Sequence, residues 1–569
     1  MIYRDHFTNQ LNNIFFKVDD KMTEVIKKTN SICPECQVTI PADYVEEDGQ
    51  VFMVKACKDH GSFKDLISIN AKHFRWIQQF TFDSDAKMCN PQFQESKGCP
   101  HDCGICSHHK SAPAIAIMDL TYRCNLKCPI CFANALSERG KNIEPSMEDI
   151  RRVFTHFRKI EPQPPACAMY AGGEPTLRDD FPEILQMCTD LGYLQRQVAT
   201  NGIRFAKDID FLKACIDGGL NAMYLQFDGL SEEVYQKMRG AKLMALKQQV
   251  IDNCRELGFH GVILTPTVAK GVNDQEVTKI FDYATANLDV VSTISYQPIA
   301  LCGRFDQEKL FSLRYTSSHI IEALNKHTNG ETGWMYPMSV LSKFAKVSSW
   351  LSNQEVVELT CNAICGYGTF VFVDPKTKKV RDIHNLFDIP KFYKVTEKWY
   401  NRLLKDRQQG RKKFKDLLNF GKITRTIGTL LDKGEENADK LRFGAEILTT
   451  LNFRNALDDG LDNLIQRARL LLNTAINSSW QNSADFLAKG NNLLVALMQF
   501  QDGYDFDCER ASRCLVHYGY IDPKTNQVLA VPFCPMNTLH RTRIENELLM
   551  AQAVTKEEEA EVPVPQLNS

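Results

Sequence analysis

The stretch AIAIMDLTYRCNLKCPICFANA, residues 114–135, decides how this chain is read. It opens on AIAIMDL (114–120), a near-continuous apolar run whose isoleucines favour a buried strand. Cys124, Cys128 and Cys131 follow directly, three thiols in one short loop. Three thiolates so placed can hold three irons of a [4Fe–4S] cluster and leave the fourth iron open to a ligand. Zinc is the competing reading, but a closed zinc site takes four ligands and the loop offers no fourth nearby.

Outward from this stretch, strand and helix patterns alternate. Further candidate strands are CAMYAG (167–172), RQVAT (196–200), AMYLQF (222–227), GVILTPTV (261–268) and TISYQP (293–298). Between them lie stretches such as MEDIRRVFTHFRKI, with apolar residues three and four apart. Six such repeats predict an α/β fold whose parallel sheet curls into a partial (β/α)6 barrel. Barrels of this kind do their chemistry at the C-terminal strand ends. The second strand ends in Gly172, Gly173, Glu174 and Pro175, and the third in Thr200, Asn201 and Gly202. Asp228 follows the fourth, and Asn273 lies beyond the fifth. Glycines allow close backbone approach, and Glu174 offers an acceptor for an ammonium. Each segment alone is also an ordinary turn signal, above all at Asn201 and Asn273.

The cysteine loop and GGEP together resemble the radical S-adenosylmethionine (SAM) enzymes. The resemblance implies a [4Fe–4S] cluster on Cys124, Cys128 and Cys131 whose open iron binds the amino and carboxylate groups of SAM. It places Gly172, Gly173, Glu174, Pro175, Thr200, Asn201, Asp228 and Asn273 around that cofactor. One electron then splits SAM to a 5′-deoxyadenosyl radical that abstracts hydrogen from an unactivated C–H bond. The cofactors carry the difficult chemistry and the protein positions them. No motif marks a residue that acts on the substrate itself.

The chain holds 20 cysteines in 569 residues. The N-terminus, MIYRDHFTNQLNNIFFKVDD, lacks the pattern of a secretory signal, and no apolar run is long enough to span a membrane. A cytoplasmic protein is expected, in which grouped thiols are metal ligands and not disulfides. With a net charge of −2 and no long basic run, a nucleic-acid partner is not expected. Cys99, Cys103 and Cys106 repeat the loop spacing without a preceding strand and are read as an auxiliary cluster. Cys361, Cys365, Cys508, Cys514 and Cys534 supply further cluster ligands. Cys33, Cys36 and Cys57 resemble a zinc ribbon or rubredoxin-type site for one iron or zinc, with Cys89 slightly preferred over His60 as fourth ligand. These fifteen cysteines match one mononuclear site, the SAM cluster and two auxiliary [4Fe–4S] clusters. Cys167, Cys188, Cys215, Cys254 and Cys302 are read as small buried hydrophobes.

The blocks CPEC…KACKDHG, GCPHDCGICSHHK, DLTYRCNLKCPICFANA and YAGGEPTLRDD resemble a narrower subgroup, from Cys33 to Arg304 and again near PFCPMNTLHR. Archaeal tetraether lipid synthases belong to it, and so do the dihydro-hydroxymethylpterin methyltransferases of methanogens. The resemblance implies three [4Fe–4S] clusters and one mononuclear iron. The main expectation is carbon–carbon bond formation on a lipid alkyl chain, with peripheral membrane contact. The alternative is methylation of a pterin-like heterocycle, which calls for polar pocket residues such as Asp228, Gln297 and Arg304. A cluster-bearing electron-transfer protein is a third reading, against which GGEP argues. Either enzyme takes a small-molecule or lipid substrate and a donor such as ferredoxin or flavodoxin.

The expected organisation is an N-terminal extension (1–32), a cysteine-rich region (33–110), the barrel (111–310) and a connecting region (311–394). A helical segment (395–500), whose FLAKGNNLLVALMQF is apolar enough to line a groove, precedes a C-terminal cluster region (501–549) and a disordered tail (550–569).

Overall fold

The structure is a computed structural model that describes residues 24–82, 97–135, 143–305, 312–352, 357–374, 377–408, 438–452 and 492–561. Four antiparallel strands in sequential order build a small ribbon: β1 (Glu24–Ile32), β2 (Thr39–Glu47), β3 (Gln50–Cys57) and β4 (Gly61–Ser68). Asp48 and Gly49, both at positive φ, close the β2–β3 hairpin between the paired Glu47 and Gln50. That is the two-residue turn whose twist suits a hairpin. The expected N-terminal extension therefore ends earlier than residue 32, because β1 belongs to the ribbon.

The large sheet holds the expected strands as β5 (Ile115–Thr121), β6 (Cys167–Gly172), β7 (Gln195–Thr200), β8 (Ala222–Gln226), β9 (Val262–Thr265) with β10 (Thr267–Val268), and β11 (Val291–Pro298). Then come β12 (Tyr336–Pro337), β13 (Gly366–Val373), β14 (Val380–Asp382), β15 (Asn492–Met498), β16 (Val516–Ile521) and β17 (Val528–Pro532). The path is β12-β13-β15-β11-β9-β8-β7-β6-β5-β16-β17. Pairing is parallel from β15 through β16, so two strands from the C-terminal part flank the six expected ones, one on each side.

This corrects the expected helical segment at 395–500. A helix does occupy Ile389–Gln408, and another spans 438–448, but NLLVALM is strand β15, hydrogen-bonded between β11 and β13. A seven-residue apolar run shows no period that separates buried strand from buried helix, and its neighbours in the sheet decide. Residues 486–491 of the expected groove lie outside the described residues. The expected tail is also corrected, because a helix runs from Arg541 through Glu561.

Helices cover the outside of the barrel and turn apolar stripes inward. The helix Met147–Phe157 starts on Ser146, whose hydroxyl accepts from the Asp149 amide, and buries Ile150, Val153, Phe154 and Phe157 on one stripe. It lies flat on β16 because Gly519 offers no side chain there; a Cβ would stand 2.5 Å from Phe157 and Val153.

Buried polar contacts tie the ribbon to the C-terminal cluster region. Arg314 donates to Asp502 at 2.8 and 3.1 Å and pairs with Asp65 of β4, all three side chains being buried. Tyr44 Oη donates to Asp507 at 2.8 Å, and Lys55 Nζ to the Gly503 carbonyl at 2.7 Å. Burial lowers Lys55 to about 8. Removing one partner of such a cluster strands the others without solvent. Arg314→Leu is expected to lower unfolding stability by about 3–5 kcal/mol, read from the urea midpoint at constant slope.

Candidate active site

The ends of β5 to β11 surround a cavity of about 280 Å³. Cys124, Cys128 and Cys131 line it together with Gly172, Gly173, Glu174, Thr200 and Asn201, so the loop and the first two strand-end motifs meet as expected. The glycines are needed for the loop itself. Gly173 N donates to the Thr121 carbonyl at 2.7 Å, and Glu174 N to that of Arg123 at 2.8 Å. A side-chain carbon on Gly172 would collide with the Thr121 carbonyl, and one on Gly173 with that of Arg123. Gly172 also sits at φ +116°, where L residues are strained. On the far side, Cys131 and Arg304 exchange backbone hydrogen bonds at 2.9 Å, and Arg304 Nε donates to the Cys128 carbonyl at 2.8 Å. The loop is thus held at its entry by GGEP and at its exit by Arg304.

Glu174 is buried among donors. Its Oε1 accepts from Thr176 Oγ1 at 2.6 Å, Thr200 Oγ1 at 2.7 Å and the Thr176 amide at 3.3 Å. Its Oε2 accepts from the Asn201 amide at 2.7 Å. A carboxylate oxygen offers about two acceptor sites, so Oε2 keeps room for one further donor. Burial raises the Glu174 carboxyl above its ordinary range, and the four donors act against that rise. Pro175 opens the turn Pro175–Leu177 behind this carboxylate.

Asp228 and Asn273 lie behind the cavity wall. Asp228 accepts from Arg239 Nε at 2.6 Å and Nη2 at 2.8 Å, a buried bidentate pair. Asn273 accepts from the Ala269 amide at 2.9 Å and donates to the carbonyls of Thr267 and Asp228, which is the turn role weighed for it above. Arg239 itself lines the cavity next to Cys128, whose thiol burial raises and Arg239 draws back down. Gln226, with its amide oxygen turned to the guanidinium, accepts from Nε and Nη1 at 3.0 Å. Lys247, fully buried, donates to the Asn201 carbonyl at 2.6 Å, and burial lowers it to about 7.

The thiols of the loop fit a cluster better than a single ion. Among the described residues, the group close enough to share one ion is Cys33, Cys36, Cys57 and His60, and it does not include them. In that ribbon group His60 Nδ1 stands 3.6 Å from Cys33 Sγ and 3.5 Å from Cys57 Sγ, with Cys36 and Cys57 3.8 Å apart. His60 therefore replaces Cys89 as the fourth ligand to expect, since the tight turn that carries it also carries Cys57. Cys89 lies outside the described residues. The His60 hydrogen bond lowers the Cys57 thiol to about 6, which favours the metal-binding thiolate.

The auxiliary cysteines fall into two neighbourhoods. Cys508 lies against Cys99 and Cys103, which push its thiol up along with burial. Cys361 feels Cys365 and Cys514, and Cys534 feels Cys514 and Cys365. Arg510 Nε donates to Cys365 Sγ at 3.4 Å inside the second group. Cys167, Cys188, Cys215 and Cys254 are core residues as expected, whereas buried Cys302 also lines the cavity.

Comparison with known proteins shows the family. Residues 118–284 match the radical SAM superfamily, and residues 25–69 match the HMPTM N-terminal zinc ribbon domain. The chain is 36% identical over 523 residues to 7,8-dihydro-6-hydroxymethylpterin dimethyltransferase of Methanocaldococcus jannaschii, covering 92% of this chain and 95% of that one. It belongs to that radical SAM family. GTP 3′,8-cyclase of Marinobacter nauticus is 22% identical over 37% of this chain and 61% of its own. Streptococcus suis SuiB bound to S-adenosylmethionine superposes with a TM-score of 0.31 at 15% identity, over 38% of this chain and 47% of that one.

A radical SAM enzyme with this cavity contains groups that no motif announced. Gln197, Tyr224, Gln226 and Arg239 line it from β7, β8 and the helix after β8. Polar residues inside RQVAT and AMYLQF, strands otherwise apolar, were the available signal. No helix among the described residues is long and apolar enough to cross a membrane.

Two outcomes test the metal sites. Gly173→Ala is expected to abolish the change that added SAM makes in the EPR spectrum of the reduced enzyme, while ribbon metal stays bound. His60→Ala is expected to release the ribbon metal to a chelator, and Cys89→Ser to retain it, both by metal analysis.

Proposed function

We propose that this radical SAM enzyme methylates a pterin-like heterocycle. The observation that carries the reading is the set of glutamine amides in the cavity beside the three thiols: Gln197, Gln226 and Gln297. Each amide presents a donor and an acceptor side by side, the complement of a ring lactam or amidine edge. An alkyl chain in the same place would leave the buried Gln197 amide unpaired, at about 1–3 kcal/mol. The near-full-length similarity to a pterin dimethyltransferase supports the same reading. The segment NLLVALM contributes Met498 to the cavity wall as a sheet strand, not as a helix.

A [4Fe–4S] cluster with SAM supplies one-electron chemistry at carbon when bound. Cys124, Cys128 and Cys131 would hold it. Glu174 offers Oε2 to an ammonium, and Arg239 sets a fixed positive charge beside Cys128, oriented by Asp228. The apolar walls, among them Met169, Met498 and Phe533, exclude water from a reactive site. Cys99, Cys103, Cys106 and Cys508 would hold one auxiliary cluster, and Cys361, Cys365, Cys514 and Cys534 the other. A low-potential carrier such as ferredoxin or flavodoxin would supply electrons.

The test is an anaerobic reaction of reconstituted enzyme with reductant, isotope-labelled methyl donors and either 6-hydroxymethyl-7,8-dihydropterin or a lipid extract. Label is expected in the pterin fraction. Label or new carbon–carbon bonds in the lipid fraction alone would overturn the reading.

A further inference from the structure

Gln197 stands apart from the other two amides. Gln226 is engaged by Arg239, and Gln297 is half-buried. Gln197 is 2% exposed, and its Nε2 has no hydrogen-bond partner among the described residues. Its strand neighbours at this level are Met169 and Ile117, with Tyr518 beyond them. Gln197 pairs with Met169 of β6, which pairs with Ile117 of β5, which in turn pairs with Tyr518 of β16. All four side chains line the cavity. A methionine at 197 would fill the same volume and leave no polar atom behind. A buried donor without a partner weakens the fold unless a bound molecule completes it.

We propose that Gln197 is the specificity-determining residue of this cavity, whose amide pairs with the lactam or amidine edge of a neutral nitrogen heterocycle. This rests on the heterocycle reading above and names the group that reads the ring. An uncharged amide offers a donor and an acceptor, which matches the donor–acceptor edge of an uncharged ring. Its terminal torsion is broad, so the amide can turn its donor or its acceptor to the ligand without leaving the wall. A ligand that pairs with it recovers a hydrogen bond the empty enzyme lacks, and an analogue without that edge recovers nothing.

The test compares wild-type holoenzyme with Gln197→Met. Equilibrium dialysis under anaerobic conditions uses 6-hydroxymethyl-7,8-dihydropterin, then guanine and uracil as other rings with a lactam edge. Q197M is expected to bind the dihydropterin roughly tenfold to hundredfold more weakly. Its thermal midpoint is expected to equal or exceed that of wild type. A merely structural amide would move the first two readouts the other way, with unaltered binding and a lower midpoint, and that result overturns the proposal. If wild type binds guanine or uracil through Gln197 but no pterin, the pterin reading fails and the role of Gln197 stands. If wild type binds none of the three rings, both fail.

Discussion

The backbone at Gly172 and Gly173 passes directly under the residues that lead into the cysteine loop, and no side chain fits between them. Everything at the site follows from that contact. It fixes where Cys124 leaves the sheet, and it carries Glu174 to the place where Thr176, Thr200 and Asn201 converge on one carboxylate. Arg304 closes the loop from the other end through the backbone of Cys131. Three thiols in a loop would otherwise explore many arrangements, and a cluster needs one. The sheet therefore supplies rigidity to a segment with no regular structure of its own.

Charge inside the molecule is handled by fixed pairs. Arg239 is locked to Asp228 and faces the cavity; Arg314 joins Asp65 and Asp502 at the seam between ribbon and C-terminal region. Buried guanidinium groups suit this role because they stay charged and offer several donors in one plane. The first pair sets the potential beside the loop thiols. The second makes the ribbon and the cysteine-bearing segment 502–514 one mechanical unit, with Tyr44 and Lys55 adding to the seam.

Much of this was legible in the residues. The six central strands announced themselves by apolar runs ending in glycine or polar signals, and the cysteine loop by spacing. Three features were not legible, each for a physical reason. NLLVALM carries no periodicity that distinguishes strand from helix, and its fate depends on the exposed edge of β11. His60 competes in the sequence with Cys89, which also satisfies zinc chemistry, and it is the fold that sets His60 beside Cys33 and Cys57. Glu174 reads as a free acceptor in GGEP, yet Thr176 takes part of its capacity and Thr200 and Asn201, remote in sequence, take as much again. Contacts between segments, not local composition, decided all three.

The two outermost parallel strands have a consequence for biogenesis. Val516 of β16 pairs with Ile115 of β5, and Leu494 of β15 with Thr293 of β11. Translation at about 5–20 residues per second separates the emergence of Ile115 from that of Val516 by roughly 20–80 s. Through that interval the nascent half-barrel has an open β5 edge next to the thiols of Cys124, Cys128 and Cys131. An open edge invites mispairing, and exposed thiols meet whatever oxidant or metal the cell contains. Slow growth without oxygen, or a chaperone on the growing chain, would protect this protein more than extra folding stability could.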